Sequence, residues 1–238
     1  MGTVGRVVTI DGPAGAGKST AARGLAVRLG WFYLNSGALY RAVAWNAGRL
    51  GLDPARPEDR LEAARDLASS IGFERDEDGL TRIRVGDDVP GEALMTEAIA
   101  EGASLVARDQ SVRDLLLPVQ RRAAHAGDVV AEGRDMGTVV FPDASVKFFV
   151  DADVEVRAQR RHHEYESKGE AVSREEILAD IAQRDERDRT RDASPLRPAG
   201  DAVTIDATHL APTEVVDRML GHVAAVHADL GEKVEDDR

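Results

Sequence analysis

The stretch RVVTIDGPAGAGKS, Arg6 to Ser19, decides the fold. Arg6 to Asp11 is short and rich in β-branched residues, the pattern of a buried strand. It runs into Gly12-Pro13-Ala14-Gly15-Ala16-Gly17-Lys18-Ser19, which fits GxxxxGK[ST], and a helical pattern follows from Ser19 to Leu29. Each residue type has a physical task there. Glycines let successive N–H groups point inward at phosphate oxygens, and the positive end of the helix adds to this. Lys18 brings a point charge to the β- and γ-phosphates, and the Ser19 hydroxyl is a ligand for Mg²⁺. A chance match in a chain of this composition is expected only about 0.003 times. The loop therefore predicts a nucleoside triphosphate site built from Gly12 to Ser19 together with Thr20. Lys18 is expected to border solvent.

Outward from this loop, strands and helices alternate. Phe32 to Leu34, Val129 to Ala131, Val146 to Val150 and Val203 to Ile205 read as buried strands. Helical patterns cover about Leu39–Leu50, Glu58–Ser70, Thr96–Val106, Val112–His125, Asp153–Lys168 and Pro212–Leu230, and Gly231 follows the last of them. Ser173-Arg-Glu-Glu176 restarts a helix after Gly169 with a capping-box pattern. This alternation predicts an α/β fold with a parallel sheet covered on both faces. The interruption is Ile71 to Pro90, where turn residues Asp76 to Gly79 separate two alternating runs, the signature of a hairpin. The tail from Glu232 to Arg238 is expected to fray.

Composition narrows the class. Hydrophobic residues at 42% and charged residues at 31% exclude a disordered chain. No run approaches the ~18 apolar residues of a spanning helix. Val7 to Ile10 is too short for a secretory leader, which points to a cytoplasmic setting. With no cysteine there is neither a disulfide scaffold nor a thiolate site. A net charge of −12 argues against general nucleic-acid or membrane-surface binding. An acidic chain that handles anions needs local cations. The six histidines show no metal-ligand spacing, since adjacent residues on a helix point about 100° apart.

The loop specifies a triphosphate but not its use. A guanine-specific switch usually carries N-K-x-D, which is absent, and GDVVAEG is a poor version of a motor's acidic strand end at Glu132. Arginines favour a kinase whose acceptor is itself a phosphate. Arg41 in SGALYR can hold such a phosphate bidentately. Gly133-Arg134-Asp135-Met136-Gly137 follows the strand Val129 to Ala131, at the carboxyl end where open α/β sheets bind ligands. In RDERDRTR, Arg184, Asp188 and Arg191 share one helical face.

GPAGAGKST, SGALYR, EGRDMGTVVFPDA and ERDRTRDASPL, in this order and spacing, resemble bacterial cytidylate kinases of the nucleoside-monophosphate kinase family. The resemblance runs from Val7 to about Leu220. It implies a P-loop kinase fold: a five-stranded parallel sheet with flanking helices, a small antiparallel insert in the acceptor-binding domain, and a short lid. Residues 1–36, 100–155 and 195–238 would form the ATP-binding core, 37–99 the acceptor domain, and 156–194 the lid and Arg-rich helix. ATP and Mg²⁺ would be used to phosphorylate CMP or dCMP, in a chain expected to be monomeric. The alternatives are a kinase for UMP or another small acceptor, or an ATP-binding switch. The resemblance also implies residue roles. Ser104, Arg113 and Asp135 would sit at the cytosine, Arg184 and Asp188 at the pentose, and Arg41, Arg134 and Arg191 at phosphates. Ser36 and Tyr40 would line the acceptor site, and Lys18, Arg134, Arg184 and Arg191 would serve catalysis. Asn35 departs from the family's usual Asp and lacks its charge.

Overall fold

In the computed structural model, residues 5–75, 81–125, 127–167 and 169–228 are described. β1 (Val7–Asp11), α1 (Lys18–Leu29), β2 (Phe32–Asn35), α2 (Ser36–Arg49) and α3 (Pro57–Ser70) open the chain. β3 (Ile71–Arg75) and β4 (Thr81–Val85) follow, then α4 (Glu97–Val106), α5 (Gln110–Arg122), β5 (Val129–Gly133) and β6 (Val146–Asp151). α6 (Val154–Ser167), α7 (Arg174–Thr190), β7 (Val203–Asp206) and α8 (Pro212–Val226) complete it. The sheet is parallel in the order β2-β5-β1-β6-β7. β1 is central and buried at every position, as its unbroken apolar run requires. β3 and β4 pair antiparallel as the inserted hairpin. Its expected turn and the C-terminal tail lie outside the described residues.

Two apolar layers flank the sheet. Leu25 and Ala22 of α1 with Met219 and Val223 of α8 pack on Ile10, Phe148 and Val150 on one face. Leu34, Leu39, Val119, Val129 and Met136 fill the other. A separate cluster joins α2, α3, α4 and α5, running from Tyr40 to Leu116. Ala158, Ile177 and Ile181 form a small cluster of their own between α6 and α7. Among the described residues no helix is long and apolar enough to cross a membrane.

Two local features differ from the sequence expectation. α2 begins at Ser36, not near Leu39, because the Asn35 side chain caps it by accepting from Ala38 N at 3.0 Å. Pro118 lies inside α5 without ending it, in agreement with the helical pattern read over Val112–His125. After Asp135 the chain makes a π turn, Met136–Val140, that no spacing rule suggested. The capping box at Ser173 is formed as its sequence predicts.

Candidate active site

The carboxyl ends of β1, β2 and β5 lie side by side, Asp11 opposite Gly133 and Asn35 opposite Glu132. From β1 the chain turns at Gly12, where a Cβ would come within 2.0 Å of the Val150 carbonyl oxygen. Only glycine allows this approach to β6. Gly15 and Gly17 take positive φ, and Gly17 opens α1 without a side-chain cap. The first N–H groups of α1 thus have no competing side-chain acceptor. Ala14 to Thr20 line a wide cleft, whereas Gly12 lies beneath it against the sheet. Pro13 contributes its carbonyl, which accepts from Lys18 Nζ at 3.0 Å.

Lys18 is buried at 7% exposure, although it lines the open cleft. Burial, reinforced by Arg134 and Arg184, lowers its pKa to about 7. Arg184 is pushed down to about 10, first by burial and then by Arg134, with Arg161 and Arg41 contributing. Arg41 is lowered by burial and by Arg161 and Arg134. A group of cations that suppress one another's charge is a site prepared for a polyanion. Arg161 in this group was missed by sequence reasoning. The signal was present in Arg157, Arg160 and Arg161, clustered just after β6.

Glu132 corrects the dismissal of its motif. Its carboxylate accepts from Ser19 Oγ at 2.7 Å and from the Tyr33 hydroxyl. A buried carboxylate on the loop hydroxyl is a hard-oxygen donor set that suits Mg²⁺. Asn35 spends its carbonyl oxygen on the α2 cap and donates to Tyr33 Oη at 3.3 Å.

A second cavity is lined by Ser36, Tyr40, Arg41, Ser104, Arg113, Arg134, Asp135, Arg184, Asp188 and Arg191, with Arg108 and Arg187 also at its wall. The residues expected at the acceptor therefore come together from α2, α4, α5, the β5 end and α7. Arg113 and Asp135, both buried, form an ion pair, and the Arg113 guanidinium lies 5.4 Å from the Tyr40 ring centre. Arg134 Nε donates to Asp188 at 2.8 Å. Arg191 lies just past the end of α7 and donates from Nε to the Ser194 carbonyl at 2.8 Å. Its charge is felt by Asp188 and lies near Arg113 and Asp135. Arg113 Nε and Arg191 Nη2 are buried donors without a protein partner. Arg41 Nη1 lies 3.1 Å from Met95 Sδ. Thr81, Ile83, Leu94 and Met95 show that the hairpin region borders the phosphate-loop cleft.

A family model described as cytidylate kinase matches residues 8–225. The chain belongs to the cytidylate kinase family. A curated cytidylate kinase of Geobacter sulfurreducens is 46% identical over 218 residues, 92% of each chain. That of Stutzerimonas stutzeri is 45% identical and covers 92% of this chain and 95% of its own. A solved gluconokinase from Sinorhizobium meliloti aligns over 98% of this chain and 99% of its own, at 14% identity and a TM-score of 0.44, too slight a likeness to argue from. Membership in the cytidylate kinase family agrees with the parallel five-stranded sheet and its hairpin insert.

One expectation about the histidines needs correction. His162 and His163 both approach Glu166, with Nδ1 atoms at 3.5 and 3.1 Å from Oε2. Their ligand atoms lie within 4.8 Å of one another. The cluster is on an outer turn of α6, and its residues line neither nucleotide cavity.

Proposed function

We propose that this member of the cytidylate kinase family transfers the γ-phosphoryl group of ATP to CMP or dCMP, giving CDP or dCDP and ADP. One observation carries the reading: Gly37, Arg41, Gly133, Arg134 and Arg184 line both the phosphate-loop cleft and the second cavity. Donor and acceptor phosphates therefore meet among three arginines. Lys18 and the loop amides hold the β- and γ-phosphates, and Arg134 and Arg184 meet the charge that develops between the two nucleotides. Ser19, supported by Glu132, would hold Mg²⁺, which when bound neutralises phosphate charge and orients the triphosphate. No covalent intermediate is required, and the acceptor phosphate is itself the nucleophile.

The buried Arg113–Asp135 pair supports cytosine as the base. A carboxylate accepts from the N4 amino group, and a guanidinium donates to N3 and O2. Uracil would oppose O4 to the carboxylate and N3–H to the guanidinium. Ser104 completes this end, and Asp188 with Arg184 serves the pentose. The division proposed is a sheet core, an acceptor unit on α2 and α3, and a lid of α6 and α7; the apolar cluster of the acceptor unit runs on through α4 and α5 to Leu116, past the expected boundary at residue 99. The chain would act as a monomer in the cytoplasm on small molecules, without nucleic acid or membrane.

A coupled assay of ADP formation with CMP, dCMP, UMP and AMP tests this. CMP and dCMP should be phosphorylated at least ~10²-fold more efficiently than UMP. Preference for UMP or AMP would overturn the base assignment, and acceptor-independent ATP hydrolysis alone would overturn the kinase reading.

A further inference from the structure

We propose that Asp11 is a positioning residue that locks the loop after β5 against the end of β1 and so fixes how Asp135 meets the acceptor base. The inference rests on the reading of Asp135 as the residue that reads cytosine. Asp11 ends β1, directly before Gly12, and is buried at 3% exposure. One carboxylate oxygen accepts from Met136 N at 2.8 Å and the other from Gly137 N at 2.8 Å. Asp135 is also held from its own carbonyl, which accepts from Val139 N and Val140 N at 2.9 and 3.1 Å. Its backbone, φ −147° and ψ 22°, is neither helical nor extended, so these bonds specify it rather than any regular element.

The fit at this point is close. A Cβ at Gly137 would lie 2.9 Å from Thr9 Oγ1 and 3.2 Å from Lys147 Cδ, so the loop is pressed onto β1 where Asp11 grips it. Burial pushes the Asp11 carboxyl up to about 6, against the two amide hydrogen bonds that favour its charged form. Two acceptor atoms are what the site uses. An amide in the same place would accept from one N–H and turn its own N–H₂ toward the other. Gly12 follows Asp11 in the chain, so the clamp sits where β1 gives way to the phosphate loop, while its two bonds go to the loop after β5 alone.

The experiment compares Asp11→Asn, Asp135→Asn and the double variant, reading kcat/KM for CMP and UMP and KM for ATP. Asp11→Asn should narrow the CMP-to-UMP ratio about tenfold or more, with KM for ATP within about twofold of the parent. The double variant should narrow it little beyond Asp135→Asn alone, since both act through one side chain. A narrowed ratio in Asp135→Asn with an unchanged one in Asp11→Asn overturns the role of Asp11 alone. An unchanged ratio in Asp135→Asn overturns the base reading, and this proposal with it. Equal rises in KM for ATP, CMP and UMP would mean a general structural role and also overturn it. A measurement on the unmodified protein covers a variant that does not fold: the Met136 and Gly137 amides should exchange hydrogen as slowly as those of β1. Exchange at the rate of an exposed loop would overturn the clamp.

Discussion

Lys18 sits with its ammonium on the Pro13 carbonyl, in surroundings that bring its pKa to about 7. The phosphates of ATP favour the charged form and must raise that pKa on binding. The sign is proton uptake: near neutral pH part of the free lysine is neutral whereas the bound one is charged, so binding should take up protons. Calorimetry of MgATP binding in buffers of different ionisation enthalpy reads this directly. No buffer dependence at pH 7.5 would contradict it. Lys18→Ala should also cut kcat by about 10³-fold or more, and a folded variant within about tenfold of the parent would remove Lys18 from catalysis. Glu132 acts beside it. Glu132→Gln keeps an acceptor oxygen for only one of Ser19 and Tyr33 and loses the charge. The Mg²⁺ concentration for half-maximal rate should rise about tenfold, with KM for CMP little changed; an unchanged Mg²⁺ requirement would detach Glu132 from the metal.

At the scale of elements, α6 and α7 are tied to the phosphate loop by one buried arginine. Arg157 donates to Ala14 O at 3.1 Å and Ala152 O at 3.0 Å, and pairs with Asp185 at 2.7 Å. Asp185 is flanked in sequence by Arg184 and, one turn on, by Asp188, so this pair sets the station of the helix that lines the acceptor cavity. Asp185→Ala would leave the Arg157 charge buried and unpaired, at a cost of about 3–5 kcal/mol. Arg157→Met with Asp185→Leu should restore most of that loss in urea denaturation, and a single variant costing under ~1 kcal/mol would show the pair to be dispensable.

These ties also mark the limit of what the chain discloses by itself. The strand, the loop and α1 are legible because their signals are local, as is the hairpin by its alternation. Glu132 was undervalued because its partner Ser19 lies 113 residues away. Asp11 carried no signal at all, since its partners are backbone amides 125 and 126 residues on. Ser104 and Arg113 could be placed only by resemblance, because they sit on helices where an isolated serine or arginine is indistinguishable from a surface residue. α2 began earlier than its apolar pattern because a single cap moved its start.

For the molecule as a whole, the distribution of charge outweighs its sum. A chain of net −12 gathers Arg41, Arg134 and Arg184 where its two cavities join, with Lys18 and Arg161 beside them in the phosphate-loop cleft. Ligands that satisfy these cations should stabilise the fold by mass action, by about 2.7 kcal/mol at a hundredfold excess over Kd. A melting shift with ATP or CMP, and none with cytidine at equal concentration, checks that phosphate supplies most of it.

The Arg134–Asp188 bond then acquires a second meaning. A phosphate that draws Arg134 away strands a carboxylate that is mostly enclosed, and a sugar hydroxyl that draws Asp188 away strands a guanidinium. On the proposed reading, only a molecule carrying both groups at nucleotide spacing settles both ends of the broken bond. The site thereby behaves like a lock with two keys on one ring: inorganic phosphate or a nucleoside alone turns neither.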